Sequence, residues 1–241
     1  MFAFSRALCA FLLTNLPAER ILRFLAKSAV NAENHDLRWN GEGRALRQML
    51  ARLPEDCVVY DVGANVGDWS RAVLDLKPNC RLHAFEMIPS LAEAARARIG
   101  DRVHAFGLSD HAFETTAFQY DQGALLTENS FHAKQAQRVP VKVLRGDELD
   151  LPPPQLMKID VEGHELKVLR GFERTIRAHR PIIQFEYGIF AINERVLLRD
   201  LFEALDGYDI HQIMPTRLVK RDYAPALENF WTVNYLAIPR G

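Results

Sequence analysis

Two hydrophobic rhythms alternate along this chain, and together they predict its architecture. Short apolar runs that end in a carboxylate read as buried strands: Val58 to Asp61, Leu82 to Glu86, Leu156 to Asp160 and Pro181 to Glu186. Between them, apolar positions recur at helical spacing. Leu46, Met49, Leu50 and Leu53 form one stripe in a helix that follows Trp39 and stops at Pro54. Trp69 to Leu76 continues as a helix that ends before Pro78. Ser90 to Ile99 is an Ala-rich helix with Ser90 as N-cap and Gly100 as stop. Glu165 to Gly171 and Val196 to Leu205 are further helices. Val103 to Phe106 supplies a third strand, Thr115 to Tyr120 another, and Val139 to Leu144 alternates like an edge strand. Asp121 to Gln137 is polar and irregular. Tyr208 to Ile213 and Trp231 to Ile238 are two late strands. Alternation at this density predicts an α/β fold: a doubly wound, mostly parallel sheet covered on both faces, with an antiparallel edge.

Length and composition narrow this picture. The 241 residues suit one domain, residues 54–241, behind an N-terminal helical extension, residues 1–53. A formal net charge of -1 gives no support for a nucleic-acid partner. Cys9, Cys57 and Cys80 have neither metal-ligand nor redox spacing, and so sparse a set fits a reducing cytoplasm. At the N-terminus, Ala7 to Leu13 is apolar but far shorter than a bilayer span, which needs about 20 apolar residues. Phe4, Leu8, Phe11, Leu12, Leu16, Leu22 and Leu25 suggest amphipathic segments broken at Pro17, with Arg20, Arg23 and Lys27 at helical spacing. Packing on the domain or on a partner is one reading of that pattern. Peripheral membrane contact is the other.

The chemistry begins at the first strand. Val58-Val59-Tyr60-Asp61-Val62-Gly63-Ala64-Asn65-Val66-Gly67-Asp68 is an apolar strand running into a glycine turn and a helix start, a nucleotide-binding arrangement in open α/β sheets. The spacing is D-x-G-x-x-x-G rather than the G-x-G-x-x-G of dinucleotide folds, and no Walker Gly-Lys-Ser/Thr follows. A ligand without a pyrophosphate is therefore expected, with S-adenosylmethionine the leading candidate. Glu86 ends the second strand roughly 20 residues on, the distance at which an acid accepts ribose hydroxyls. A cap on the following helix is its structural alternative. Asp61 can hold the turn or reach the amino-acid part of the ligand, and Asp110 can meet an adenine amino group. In an open sheet, ligands bind outside the carboxyl ends of the strands, where Asp61, Glu86, Asp160 and Glu186 all fall.

A second dense stretch is Lys158-Ile159-Asp160-Val161-Glu162-Gly163-His164-Glu165. So many ionisable groups beside a buried strand are costly unless solvated or used. Asp160 and Glu162 have the oxygen chemistry for a hard cation, and His164 suits a general base. The preferred reading needs no metal, with a carboxylate or His164 as base. Glu165 favours the helix N-terminus.

Taken in order, Val59 to Gly67, Phe85-Glu86 with Pro89, Lys158 to Glu165, Leu169, Gly171, Glu186 and Asn234 to Pro239 resemble the FkbM family of S-adenosylmethionine-dependent methyltransferases. The resemblance covers Cys57 to Pro239. It implies a class I methyltransferase sheet, with S-adenosylmethionine held by Asp61, Gly63, Ala64, Asn65, Gly67 and Glu86. It also implies methyl transfer to a hydroxyl on a sugar, glycan or secondary metabolite; the residues themselves carry the separate expectation that Asp160, Glu162 and His164 serve the transfer cleft. Gly146-Asp147 departs from the family pattern, and Asp121 to Gln137 matches it only around Asn129-Ser130. Two rivals stand beside this: a non-catalytic scaffold on the same fold, and an NAD-dependent oxidoreductase. The second lacks the third glycine and any hydride-transfer dyad.

Overall fold

The computed structural model describes residues 18–120, 123–126 and 136–241. The Ala7 to Leu13 run, Asn129-Ser130 and most of the irregular Asp121 to Gln137 stretch lie outside the described residues.

In chain order the elements are helices α1 (Ala18–Ala29) and α2 (Glu42–Leu50), then β1 (Val58–Val62), α3 (Asp68–Leu76), β2 (Arg81–Phe85), α4 (Pro89–Ile99) and β3 (Val103–His104). Four strands follow: β4 (Gly107–Ser109), β5 (Phe113–Tyr120), β6 (Gly123–Leu125) and β7 (Gln137–Arg145). The chain then returns through β8 (Leu156–Ile159), α5 (Glu165–Gly171), α6 (Glu173–His179), β9 (Ile182–Tyr187), α7 (Leu198–Ala204), β10 (Tyr208–Ile213), β11 (Leu218–Lys220) and β12 (Val233–Pro239).

Eight strands make one sheet in the order β11-β10-β12-β9-β8-β1-β2-β3. From β9 to β3 all pairs are parallel, and β12, β10 and β11 extend the sheet antiparallel. The predicted doubly wound sheet is present, and its antiparallel edge is three strands wide. Period-two side chains divide its core. Val58, Tyr60 and Val62 of β1 face one side with Phe85, Met157, Phe172 and Phe185. Val59 faces the other with Leu46, Met49 and Leu50 of α2 and Trp69 and Val73 of α3. Each buried side chain of this size contributes about 1.5–3 kcal/mol on leaving water, so α2 is fastened to the sheet by its own stripe.

A second sheet, ordered β4-β7-β5-β6, is built from the strands on either side of the irregular stretch, of which only Gly123–Leu125 and Gln137 join it among the described residues. Val139 to Leu144 is an edge strand only in part: β4 pairs with β7 from Val143 to Arg145, while Val139 to Lys142 pair with β5 alone among the described residues. Its alternation reflects a sheet with one exposed face, which an edge position shares. The third strand is also shorter than expected, because the chain leaves the large sheet after His104 and pairs β4 with β7 from Gly107. Ser90 is not the cap of α4. Pro89 starts that helix with Ile88 in the cap position, and a Glu86 carboxylate oxygen accepts the Ile88 N–H at 2.9 Å. Gly146-Asp147 has a packing explanation. A Cβ on Gly146 would come 2.5 Å from the Phe172 ring. Asp147 accepts the Arg174 and Thr175 backbone N–H groups at 2.9 and 3.0 Å, which caps α6.

Candidate active site

A cavity of about 580 Å³ opens at the carboxyl ends of β1, β2, β8 and β9. That volume is typical of small-molecule sites. One end is the glycine turn. Gly63 and Ala64 donate their N–H groups to the Phe85 carbonyl at 2.9 and 3.0 Å, which hooks the turn onto the end of β2. Gly63 has φ +82°, and a Cβ there would sit 1.8 Å from the Asp160 carbonyl oxygen. Only glycine fits, because the turn after β1 presses on the turn after β8. Gly67, at φ +83°, starts α3 against Ala95 of α4. Glu86 is 6% exposed and lines the cavity. Its Oε2 accepts the Asn65 N–H at 2.8 Å and its Oε1 that of Ile88, so the carboxylate fixes both loops while facing the cavity. Burial raises its pKa against those two hydrogen bonds.

Gly63, Ala64, Asn65 and Glu86 all line this end, but Asp61, Gly67 and Asp110 do not. Asp61 is fully buried and accepts the Ser70 hydroxyl at 2.6 Å, tying β1 to α3. Asp110 sits just past β4, where it bonds the Ser109 hydroxyl at 3.1 Å and His111 at 2.7 Å.

The other end holds the carboxylates. Asp160, Glu162, His164 and Glu186 line it, together with Lys158. Glu162 stands at φ +55° with Gly163 following at φ +98°, a left-handed pair that leaves β8 sharply. Glu165 makes this turn possible. Its Oε1 accepts the Val161 and Gly163 N–H groups at 3.0 and 3.2 Å, so it is a clamp on the loop, beyond any general preference for a helix start. Burial pushes the Glu165 carboxyl up to about 7. The Glu162 carboxyl rises to about 8, through burial first and the nearby Asp160 carboxylate second, and the Tyr120 hydroxyl hydrogen-bonds to it. Glu186 is raised as well, by burial and by Asp160 and Glu162. His164 behaves differently: burial and then Lys167 hold its pKa down to about 4. Its Nε2 lies 2.9 Å from the Ser109 hydroxyl, so at neutral pH it is an uncharged imidazole.

Lys158 organises this end. Its ammonium lies 2.7 Å from Asp160 Oδ2. Burial opposes the charge on Lys158, but Asp160, Asp61 and Glu42 outweigh it and raise its pKa. Glu42, at the start of α2, also lines the cavity. It accepts Gln184 Nε2 at 2.5 Å and Asn234 Nδ2 at 3.2 Å, and it bonds the Asn40 side chain. Sequence reasoning assigned Glu42, Tyr120 and Gln184 no site role. Glu42 reads as an ordinary first-turn acid, and its partners lie 142 and 192 positions away. Asn234 and Lys158 were visible only as parts of longer motifs.

Residues 61–218 match the methyltransferase FkbM domain family. The chain belongs to this family. Among curated relatives, the hexuronic acid methyltransferase AglP of Haloferax volcanii is 30% identical over 164 residues, covering 64% of this chain and 65% of that protein. The 2-O-methyltransferase NoeI of Sinorhizobium fredii is 28% identical over 189 residues, covering 68% of this chain and 77% of that protein. The chain thus spans just under two thirds of the first of these relatives. The crystal structure of methyltransferase FkbM from Methylobacillus flagellatus superposes with a TM-score of 0.52 at 17% identity, over 77% of this chain and 44% of that one. It shares the fold.

Proposed function

We propose that this FkbM-family protein transfers a methyl group from S-adenosylmethionine to a hydroxyl of a sugar or glycan. The observation that carries the proposal is the single cavity that joins the glycine turn and Glu86 at one end to Asp160, Glu162 and Glu186 at the other. The residues fit the donor. The Gly63 turn lets a ligand approach backbone, and the buried Glu86 carboxylate keeps lone pairs for ribose hydroxyls after accepting two N–H groups. When bound, S-adenosylmethionine supplies an electrophilic methyl group. Gly63, Ala64, Asn65 and Glu86 hold it, while Asp61 and Gly67 act behind them by shaping β1 and α3. Asp110 takes no donor role in this reading, because its partners are Ser109 and His111 outside the cavity.

The acceptor hydroxyl must lose a proton. Glu162 is the base of choice: its carboxyl lines the cavity, and a pKa of about 8 makes its ionised form far more basic than an ordinary glutamate. Asp160 and Lys158 orient the acceptor as a paired acceptor and donor of hydrogen bonds. His164, neutral and bonded to Ser109, lines the wall. Carboxylates in such density suit a partner rich in hydroxyl donors, and both curated relatives are named as methyltransferases of hydroxyl-bearing sugars or at a 2-O position. In this reading residues 54–241 are the catalytic unit, and the segment before it, described as helical at Ala18–Ala29 and Glu42–Leu50, lends it Glu42. The unpaired, buried Cys57 and Cys80 suit a cytoplasmic setting.

The test is transfer of labelled methyl groups from S-adenosylmethionine to a panel of sugars, with the product identified by mass. No transfer to any hydroxyl acceptor defeats the proposal. Glu86→Gln is expected to weaken S-adenosylmethionine binding by roughly 10- to 100-fold, because an amide NH2 replaces one oxygen of a charged acceptor. Calorimetry with S-adenosylmethionine and, in parallel, NAD reads this. Tight NAD binding without S-adenosylmethionine binding would return the oxidoreductase reading.

A further inference from the structure

His164 lines the cavity and is 6% exposed, yet only one of its ring nitrogens has a partner among the described residues. Nε2 lies 2.9 Å from the Ser109 hydroxyl, while Nδ1 is buried and unpaired. A neutral imidazole carries one N–H and one lone pair, so the group at Nε2 decides which of the two Nδ1 keeps. The answer lies one hydrogen bond further on. The Ser109 hydroxyl is also 3.1 Å from Asp110 Oδ1, and His111 Nδ1 approaches the same oxygen at 2.7 Å. Partial burial works against a charge on Asp110, but the hydrogen bonds from His111 and Ser109 outweigh it and hold the carboxyl below its ordinary range. As an ionised carboxylate, Asp110 can only accept. Ser109 has a single hydroxyl hydrogen, and a charged acceptor takes it in preference to a neutral ring nitrogen. The Ser109 oxygen therefore accepts from His164 Nε2–H, and Nδ1 is left with the lone pair.

The fold holds this chain of bonds in place. Ser109 is fully buried at the end of β4, and α5 begins directly after His164. A Cβ on Gly171 of α5 would sit 2.1 Å from the Ser109 carbonyl oxygen, so β4 and the helix that His164 leads are pressed together at the backbone. A buried lone pair without a donor is costly, and in a cavity wall a donor from the ligand removes that cost. Glu162 stands two positions before His164 and lines the same cavity. A sugar presents hydroxyls on adjacent carbons, one for each of these two groups.

We propose that Asp110 and Ser109 are positioning residues that fix His164 as its Nε2–H tautomer, so that Nδ1 accepts a hydrogen bond from a hydroxyl of the methyl acceptor, beside the one that Glu162 deprotonates. The contact with the acceptor rests on the methyltransferase reading above. The tautomer does not.

Long-range proton–nitrogen correlation spectra of the full chain, labelled in its histidine rings, read the tautomer at neutral pH, with His164 assigned by the signals lost in His164→Gln. The parent is expected to show Nε2–H and an unprotonated Nδ1. Asp110→Ala, at a partly exposed side chain, frees the Ser109 hydrogen to turn toward Nε2, and His164 is expected to shift toward the Nδ1–H form. A merely structural Asp110 would leave the tautomer where it is. Kinetics use the sugar that takes the label in the panel described above. Asp110→Ala and Ser109→Ala are expected to raise the KM for that sugar by about 3- to 10-fold, the worth of one neutral hydrogen bond, with the S-adenosylmethionine dissociation constant unchanged. A parent imidazole in the Nδ1–H form, or a tautomer that Asp110→Ala does not move, overturns the relay. A sugar KM untouched in both variants overturns the contact with the acceptor. So does a His164 Nδ1 signal that S-adenosylhomocysteine alone shifts as far as S-adenosylhomocysteine with the sugar, since the lone pair then meets the methyl donor. A panel without any labelled product defeats the methyltransferase reading and the acceptor contact with it, while the spectra still decide the tautomer.

Discussion

Glu162→Gln is expected to lower turnover by about 10²–10⁴-fold, the range that a positioned general base contributes. The amide keeps the size of the side chain and its hydrogen-bonding reach to Tyr120 but cannot take a proton. S-adenosylmethionine binding should stay close to that of the parent, because Glu162 lies at the carboxylate end of the cavity. The pH profile carries the second half of the prediction. Below about 8 the Glu162 carboxyl is largely protonated, so the rate should climb between pH 6 and 8 and level off above. In Glu162→Gln that climb should vanish. His164 makes the contrasting case: with a pKa held down to about 4, it is already deprotonated at pH 6 and would give a flat profile across this window. If Glu162→Gln retains both the rate and the slope of the parent while His164→Ala abolishes turnover, the base is His164 and not Glu162.

Lys158→Met is expected to destabilise the fold by about 3–5 kcal/mol, the cost of removing one partner from a buried charge network. The methionine fills the space, but Asp160, Asp61 and Glu42 lose the ammonium that all three face. Denaturant titration at neutral pH measures the loss. Its pH dependence has a definite sign. Burial already raises the Asp61 and Glu42 carboxyls above their ordinary values, so the folded state binds more protons than the unfolded state as pH rises through the carboxylate range. Without Lys158 those pKa values rise further. The deficit should therefore shrink as pH falls and both groups become neutral. A Lys158→Met protein within about 1 kcal/mol of the parent at neutral pH would show that the carboxylates do not need this counter-ion.

The parts of the molecule governed by local pattern were legible in the sequence. The apolar runs ending in Asp61, Glu86, Asp160 and Glu186 fall within a residue or two of β1, β2, β8 and β9, because buried parallel strands need continuous apolar residues. The stripe of Leu46, Met49 and Leu50 gave α2 for the same reason. Long-range pairing was not legible. Nothing in the Val139 to Leu144 alternation says that β4 joins β7 from Val143, since the alternation on one strand is the same whether one or two neighbours bond to it. The same limit applies to charge. Glu42 resembles any acid in a first helical turn until the fold brings Gln184 and Asn234 to it. Glu165 illustrates the reverse: its place at the start of α5 was readable, but its grip on Val161 and Gly163 needed the left-handed turn at Glu162 to be seen.

The near contact between Gly63 and the Asp160 carbonyl also bears on how a protein of this kind can change its substrate. The glycine turn and the loop carrying Glu162 share one wall, so a shift of either displaces the other. Neither can be remodelled alone without disturbing the alignment on which both depend. The borders that remain free to vary are those that reach the cavity from elsewhere: the connection through His35 and Leu37, Tyr120 of the second sheet, and Phe190 after β9. Divergence toward new acceptors would run through these peripheral pieces, with the shared wall inherited as a unit.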